Sequence, residues 1–198
     1  MTERKDIGAS PLMYRFYWPI VQGTLGLRPF HFLSVKEFAQ IRSGDQVLEL
    51  GAGYPFWRVY SQQVGASGQF VSLDADHFIQ KSSSRICATL NKYTQSSKPE
   101  RFLTADNCRL PFADNSFDFV LASNVINDER FVIESYRVLR PLGHFIHAWI
   151  ENNNPVVTRE VKDACKLTGF TKIRKVKGAH ASLVDPFYNW LLFAQKPA

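Results

Sequence analysis

The 198-residue chain is 45% apolar and 21% charged, with a net charge of +6. That length and balance suit one domain around a single sizeable core. No low-complexity tract or internal repeat is present, which excludes a disordered or repeat-built chain. The positive charge permits contact with nucleic acid or anionic lipid and demands neither. Cys87, Cys108 and Cys165 are odd in number and widely spaced. They fit neither a disulfide framework nor a zinc knuckle, so a reducing, cytoplasmic compartment and no metal are expected. "MTERKDIGAS" leads into no apolar run of the kind a signal peptide needs. The most apolar stretch, "PLMYRFYWPIVQGTLGLRPFHFL", contains Arg15, Gln22, Arg28, Pro19 and Pro29, and so does not read as a membrane span of about 20 apolar residues.

In chain order, residues 1–45 read as helical and irregular. Leu12, Phe16 and Ile20 are spaced four apart, but Pro19 ends or kinks any helix there. "SVKEFAQI" pairs Ser34 with Glu37 in a capping-box pattern. From Gln46 the chain alternates. "QVLEL" is a strand, "FWRVYSQQVG" a helix closed by Gly65, "GQFVSLD" a strand, and "FIQKSSSRICATLNKY" a helix. "ERFLTAD" and "FDFVLAS" are strands three and four, "ERFVIESYRVL" a helix, and "GHFIHAWI" strand five. "PVVTREVKDACKLTG" is a helix with Pro155 in its first turn and Gly169 after its end. "FTKIRKVKG" and "YNWLLFAQK" have no helix-length segment between them and should pair antiparallel. The predicted fold is α/β, a doubly wound parallel sheet whose last strand is antiparallel. A ligand is expected beyond the carboxyl ends of the strands, at the switch point beside strand one.

Strand one ends in "ELGAGYP". Gly51 and Gly53 permit positive φ and close approach of a ligand to the backbone, although such a pair also serves a plain strand-to-helix turn. Asp74 ends strand two, 21 residues after Gly53, where a carboxylate accepts from both hydroxyls of a ribose. Asp76 suits the competing role of helix N-cap. Asp106, at the end of strand three, is placed to accept from an adenine amino group, with Asn107 or Cys108 supplying a backbone donor. The "KIRKVKG" cluster alternates charged and apolar residues and reads as a strand with one solvated face.

"VLELGAG", "LDAD", "ADNCRLPFADNSFDFVLASNVIND" and "YRVLRPLGHF", in this order and spacing, resemble the class I S-adenosylmethionine-dependent methyltransferases. The likeness is strongest to the branch acting on quinones, phospholipid headgroups and other small molecules, and it covers roughly residues 44–143. It implies a Rossmann-like seven-stranded sheet and an N-terminal helical lid (1–43) over a core (44–198) in one domain. It implies S-adenosyl-L-methionine as cofactor. Gly51, Ala52 and Gly53 would pass under the methionine part, with Glu49 supporting the turn. Asp74 and Ala75 would hold the ribose, and Asp106, Asn107 and Cys108 would flank the adenine. Ser123 and Asn124 would line the methyl-transfer site.

The chain departs from the family where Pro55 replaces a third glycine, where Tyr54, Phe56 and Trp57 bring large rings, and where Leu142 replaces a glycine before strand five. Proline removes an amide donor, which should weaken cofactor binding. A hydroxyl acceptor would need a general base. The candidates for acceptor-side chemistry are Asn124, Tyr14, Tyr17 and His180. Tyr14, Tyr17 and Trp18 either form an aromatic lid wall or pack on the core. His144 and His147 lie three apart on strand five and face opposite sides, which argues against a shared metal. His31 and His77 have no neighbours that recommend them. An aromatic, mildly basic lid suits an apolar, aromatic or lipid-like acceptor and peripheral membrane contact. No nucleic acid is expected, since "SNVI" after strand four lacks the Asn/Asp-Pro-Pro-aromatic pattern of base methyltransferases. The alternative is a non-catalytic or repurposed member of the fold, acting as a binding module or partner subunit. Oligomeric state is not legible.

Overall fold

The computed structural model describes residues 40–51, 63–75, 77, 101–123, 125, 128–149, 155–177 and 190–198. The order is β1 (Gln46–Leu50), β2 (Gln69–Asp74), β3 (Arg101–Thr104), β4 (Phe117–Ser123), α1 (Glu129–Val138), β5 (Leu139–Trp149), α2 (Pro155–Thr168), β6 (Thr171–Lys177) and β7 (Trp190–Gln195). All seven strands join one sheet in the order β3-β2-β1-β4-β5-β7-β6. β1 pairs in parallel with both β2 and β4, so the chain changes direction across the sheet there. β7 runs antiparallel to both β5 and β6. The seven-stranded, Rossmann-like arrangement expected from the sequence is thus present, with its one reversed strand in the expected place.

Both sheet faces bury apolar side chains, as a sheet covered on two sides must. Leu48, Leu50, Val71, Leu73, Val120 and Phe145 pack with Phe131, Val132, Val161 and Cys165 of the two helices. Val47, Phe70, Phe119, Leu121, Ile146 and Phe193 form the opposite layer. α1 begins where the Asp128 carboxylate accepts from the Arg130 N–H at 3.0 Å, satisfying a free helix-end donor. It stops at Val138, one residue earlier than the sequence pattern implies. Leu139 is already extended, at φ −70° and ψ 138°. Arg140 precedes Pro141, and a residue before proline is driven out of the helical region.

Two strand limits also differ. β3 ends at Thr104, so Asp106 lies in the loop beyond the strand rather than closing it. β5 starts at Leu139, not Gly143, and the "RPLG" segment is an irregularity within it. Pairing with β4 jumps from Phe117–Leu139 to Phe119–His144. Leu142 sits there at φ +65°. Gly143 follows, where a Cβ would come within 2.8 Å of the Arg140 carbonyl oxygen.

Candidate functional site

The carboxyl ends of β3, β2, β1 and β4 lie side by side. Thr104 pairs with Asp74, Leu73 with Leu50, and Leu50 with Ala122. Gly51, Asp74, Ala75 and the 105–108 loop therefore share one end of the sheet, beside the β1/β4 switch point. Gly51 leaves β1 at φ +67°, a left-handed conformation that side chains with a Cβ resist. Ala52, Gly53, Tyr54, Pro55, Phe56, Trp57 and Asn124 lie outside the described residues, as do Tyr14, Tyr17, Trp18, His31, Asp76 and His180. Ser123 is the last residue of β4.

Glu49 is fully buried in β1, and its Oε2 accepts from Ser72 Oγ at 2.6 Å. The two residues are register partners, so strand pairing itself brings them together. Beyond β3, Asp106 Oδ1 accepts from the Cys108 N–H at 2.9 Å and curls the loop into a turn. The Asn107 side-chain oxygen is buried and finds no hydrogen-bond donor among the described residues. Ala105 N–H donates to the Asp74 carbonyl at 3.1 Å, tying this loop to the end of β2. Burial, with the Asp128 and Asp106 charges, raises the Cys108 thiol to about 11. It stays protonated at neutral pH and is a poor nucleophile. The Asp128 carboxyl falls to about 2, chiefly through its hydrogen bond to Arg130.

Several residues that shape this loop were not anticipated. Arg137 on α1 donates to the carbonyls of Leu110 (3.0 Å) and Phe112 (2.8 Å), and to Asp114 (2.8 Å) and Glu134 (2.8 Å). Glu134 Oε2 in turn accepts from the Leu110 N–H at 2.7 Å. Arg140 reaches Asp118 at 2.9 Å, and Lys196 donates to Asn115 and to the carbonyls of Tyr136 and Leu139. The "LPFADNSFD" and "YRVLRPLGHF" strings are thus one hydrogen-bonded unit. Their pairing was the available signal for Arg137, since an arginine at a fixed distance from a polar loop is suited to multiple carbonyl contacts.

His144 and His147 face opposite sides of the sheet, as their spacing requires. His147 packs near Phe131 and Phe145, and His144 stacks on Phe119 with ring centres 5.5 Å apart. Among the described residues, no helix is long and apolar enough to cross a membrane.

A mixed sheet of this order, with one reversed strand and acids after adjacent parallel strands, defines the class I methyltransferase fold. Residues 48–147, just over half of the chain, match the family described as a methyltransferase domain, and the chain belongs to that S-adenosylmethionine-dependent family. It is 29% identical over 140 residues to an arsenite methyltransferase of Halobacterium salinarum, covering 68% of this chain and 34% of that protein. It is 31% identical over 115 residues to a ubiquinone/menaquinone biosynthesis C-methyltransferase of Pseudomonas paraeruginosa, covering 56% of this chain and 43% of that one. The chain therefore spans less than half the length of these curated relatives. A SAM dependent methyltransferase from Aquifex aeolicus shares the fold at a TM-score of 0.66 and 19% identity, over 85% of this chain and 92% of that one.

Proposed function

We propose that the protein binds S-adenosyl-L-methionine at the shared carboxyl end of β1–β4 and transfers its methyl group to a small, apolar or aromatic, lipid-like acceptor. The observation that carries the reading is the convergence of Gly51, Asp74 and the Asp106–Cys108 turn on one end of three adjacent parallel strands. Chemically these residues suit the cofactor. The Asp74 carboxylate matches a ribose diol, the Cys108 backbone and Asp106 flank an adenine edge, and Gly51 leaves backbone room for the methionine part. The buried Asn107 oxygen, without a donor among the described residues, is a polar group for which a ligand amine is a chemical match. Glu49 acts by fixing the β1 end through Ser72. Ser123, which ends β4, and Asn124, the next residue in the chain, are assigned to the acceptor side.

The cofactor supplies an already activated sulfonium methyl. The chain's own task is to exclude water and align the acceptor, a contribution that proximity and orientation can make large. Support for an apolar acceptor comes from the quinone pathway named for one relative. The arsenite methyltransferase keeps the acceptor class wider.

Calorimetric titration with S-adenosylmethionine and S-adenosylhomocysteine tests the reading, with Asp74→Ala as control. Micromolar binding that the variant loses is the expected result, followed by turnover on quinone or lipid acceptors. Absence of binding at millimolar ligand would overturn it and favour a binding-module role for the fold.

A further inference from the structure

A second polar site lies away from the carboxyl ends of β1–β4, on the face of the sheet opposite α1 and α2. The register of three adjacent strands builds it. His144 of β5 pairs with Gln195 of β7, and Ile146 pairs with Phe193, which in turn pairs with Arg174 of β6. Along β6 the pairing jumps between Thr171 and Arg174, and Lys172 within that bulge adopts φ +49°. A bulge of this kind re-aims side chains. Here Lys172 and Arg174 both line one recess of about 270 Å³, together with His144, Ile146, Phe193 and Gln195.

Among the described residues that line this recess there is no carboxylate. Arg130, Arg137, Arg140 and Lys166 elsewhere each meet a carboxylate, while Arg42, Arg101, Arg109, Arg159 and Lys162 form no ion pair with a described residue. Lys172 and Arg174 form no ion pair with any described residue. Arg174 instead lies over the Phe193 ring, 5.3 Å from its centre, which holds its guanidinium above the recess. Gln195 is oriented by a 3.0 Å bond from its Nε2 to the Leu142 carbonyl.

We propose that this recess binds a phosphate group, independently of the methyl-transfer reading. A planar guanidinium can take two phosphate oxygens at once, and an ammonium beside it can take a third as a point charge. A carboxylate can meet the same two cations with its two oxygens, but it carries one charge and two acceptor oxygens where a phosphate brings up to two charges and a third oxygen. Burial, followed by the Lys172 and Arg174 charges, holds His144 below its ordinary value, so it contributes a neutral ring edge to the site. The phosphate can belong to a free phosphorylated molecule or to a phospholipid headgroup, since the side chains recognise only the group itself.

Inorganic phosphate, titrated into the full chain at constant ionic strength, should shift the ring resonances of His144 saturably in a proton–carbon NMR spectrum. Arg174→Gln and Lys172→Ala should each weaken that response about tenfold, as loss of one charge-assisted contact implies. Lys166→Ala, a cation on α2 across the sheet, should leave it unchanged. Unshifted resonances of His147, buried on the far face, will report that each variant is folded. Vesicles of phosphatidylcholine with phosphatidylglycerol then distinguish the sources. Displacement of phosphate by vesicles supports a headgroup as occupant, and retention of phosphate supports a free phosphorylated ligand. A His144 response that chloride reproduces, that Lys166→Ala weakens equally, or that is absent in the folded wild type would overturn the proposal.

Discussion

Ser72 and Glu49 face each other across β2 and β1, both buried, with Ser72 Oγ donating to Glu49 Oε2 at 2.6 Å. A carboxyl in this position stays at the head of the candidate cofactor end only while its polar contacts are met, because a buried group left without them carries its full desolvation cost.

Ser72→Ala should therefore destabilise the fold by about 1.5–3 kcal/mol, the range for a hydrogen bond to a charged or strongly polar partner. Urea unfolding measures this. A change within about 0.5 kcal/mol, the range of a neutral surface substitution, would show that Glu49 does not depend on Ser72.

Arg137 joins α1 to the loop that follows Asp106–Cys108 through two carbonyls and the Asp114 carboxylate, and is held by Glu134 on its own helix. Lysine cannot reproduce that fork. Arg137→Lys should weaken S-adenosylhomocysteine binding about tenfold, corresponding to about 1.4 kcal/mol, while far-ultraviolet dichroism stays native. Unchanged calorimetric affinity would confine Arg137 to stability alone.

His147 is fully buried, and burial lowers its ring to about 4 from an ordinary 6.5. The unfolded chain thus binds a proton between these values that the native protein refuses. Stability is complete above pH 6.5 and falls as pH drops toward about 4, at up to about 1.4 kcal/mol per pH unit. His147→Phe should flatten the denaturation midpoint in that window. A slope identical to wild type would assign the pH dependence to other groups.

Leu142 is 56% exposed and left-handed at φ +65°. For a residue with a Cβ that conformation costs roughly 1–2 kcal/mol. Glycine removes the strain and adds roughly 0.5–1 kcal/mol of chain entropy loss. Leu142→Gly should therefore raise stability by roughly 0–1.5 kcal/mol in urea unfolding. A loss would mean that the Leu142 side chain contributes packing that outweighs its backbone strain.

The acidic side of the pH profile has a second source. The carboxyls of Asp128 and Glu134 are held below their ordinary values, chiefly by hydrogen bonds from Arg130 and Arg137. Their stabilisation is present above the unfolded carboxylate range near pH 4 and is lost as pH falls through the lowered native values. Asp128→Asn with Glu134→Gln should reduce the loss of stability on acidification from about pH 4 to about pH 2, read from urea midpoints. An unchanged loss would place the acid sensitivity elsewhere.

The sequence by itself determined the order of the seven strands and the two described helices along the chain, and the parallel sheet with its reversed last strand. These follow from local periodicity, glycine turns and the shortness of the sequence segment between the last two strands, all properties of neighbouring residues. It was less informative about boundaries. Pro141 acts backward on Arg140 and shortens α1, and the Leu142 irregularity extends β5 to Leu139. Only the tertiary structure decided which distant residues meet. Ser72 reaches Glu49 through strand register, and Arg137 reaches Leu110 and Phe112 because α1 packs beside the loop after β3. Lys172 and Arg174 line the same recess as His144 because β7 inserts between β5 and β6. Periodicity reports which face a side chain takes. It does not report its partner across the sheet, because register and strand order arise from burying the whole apolar surface at once.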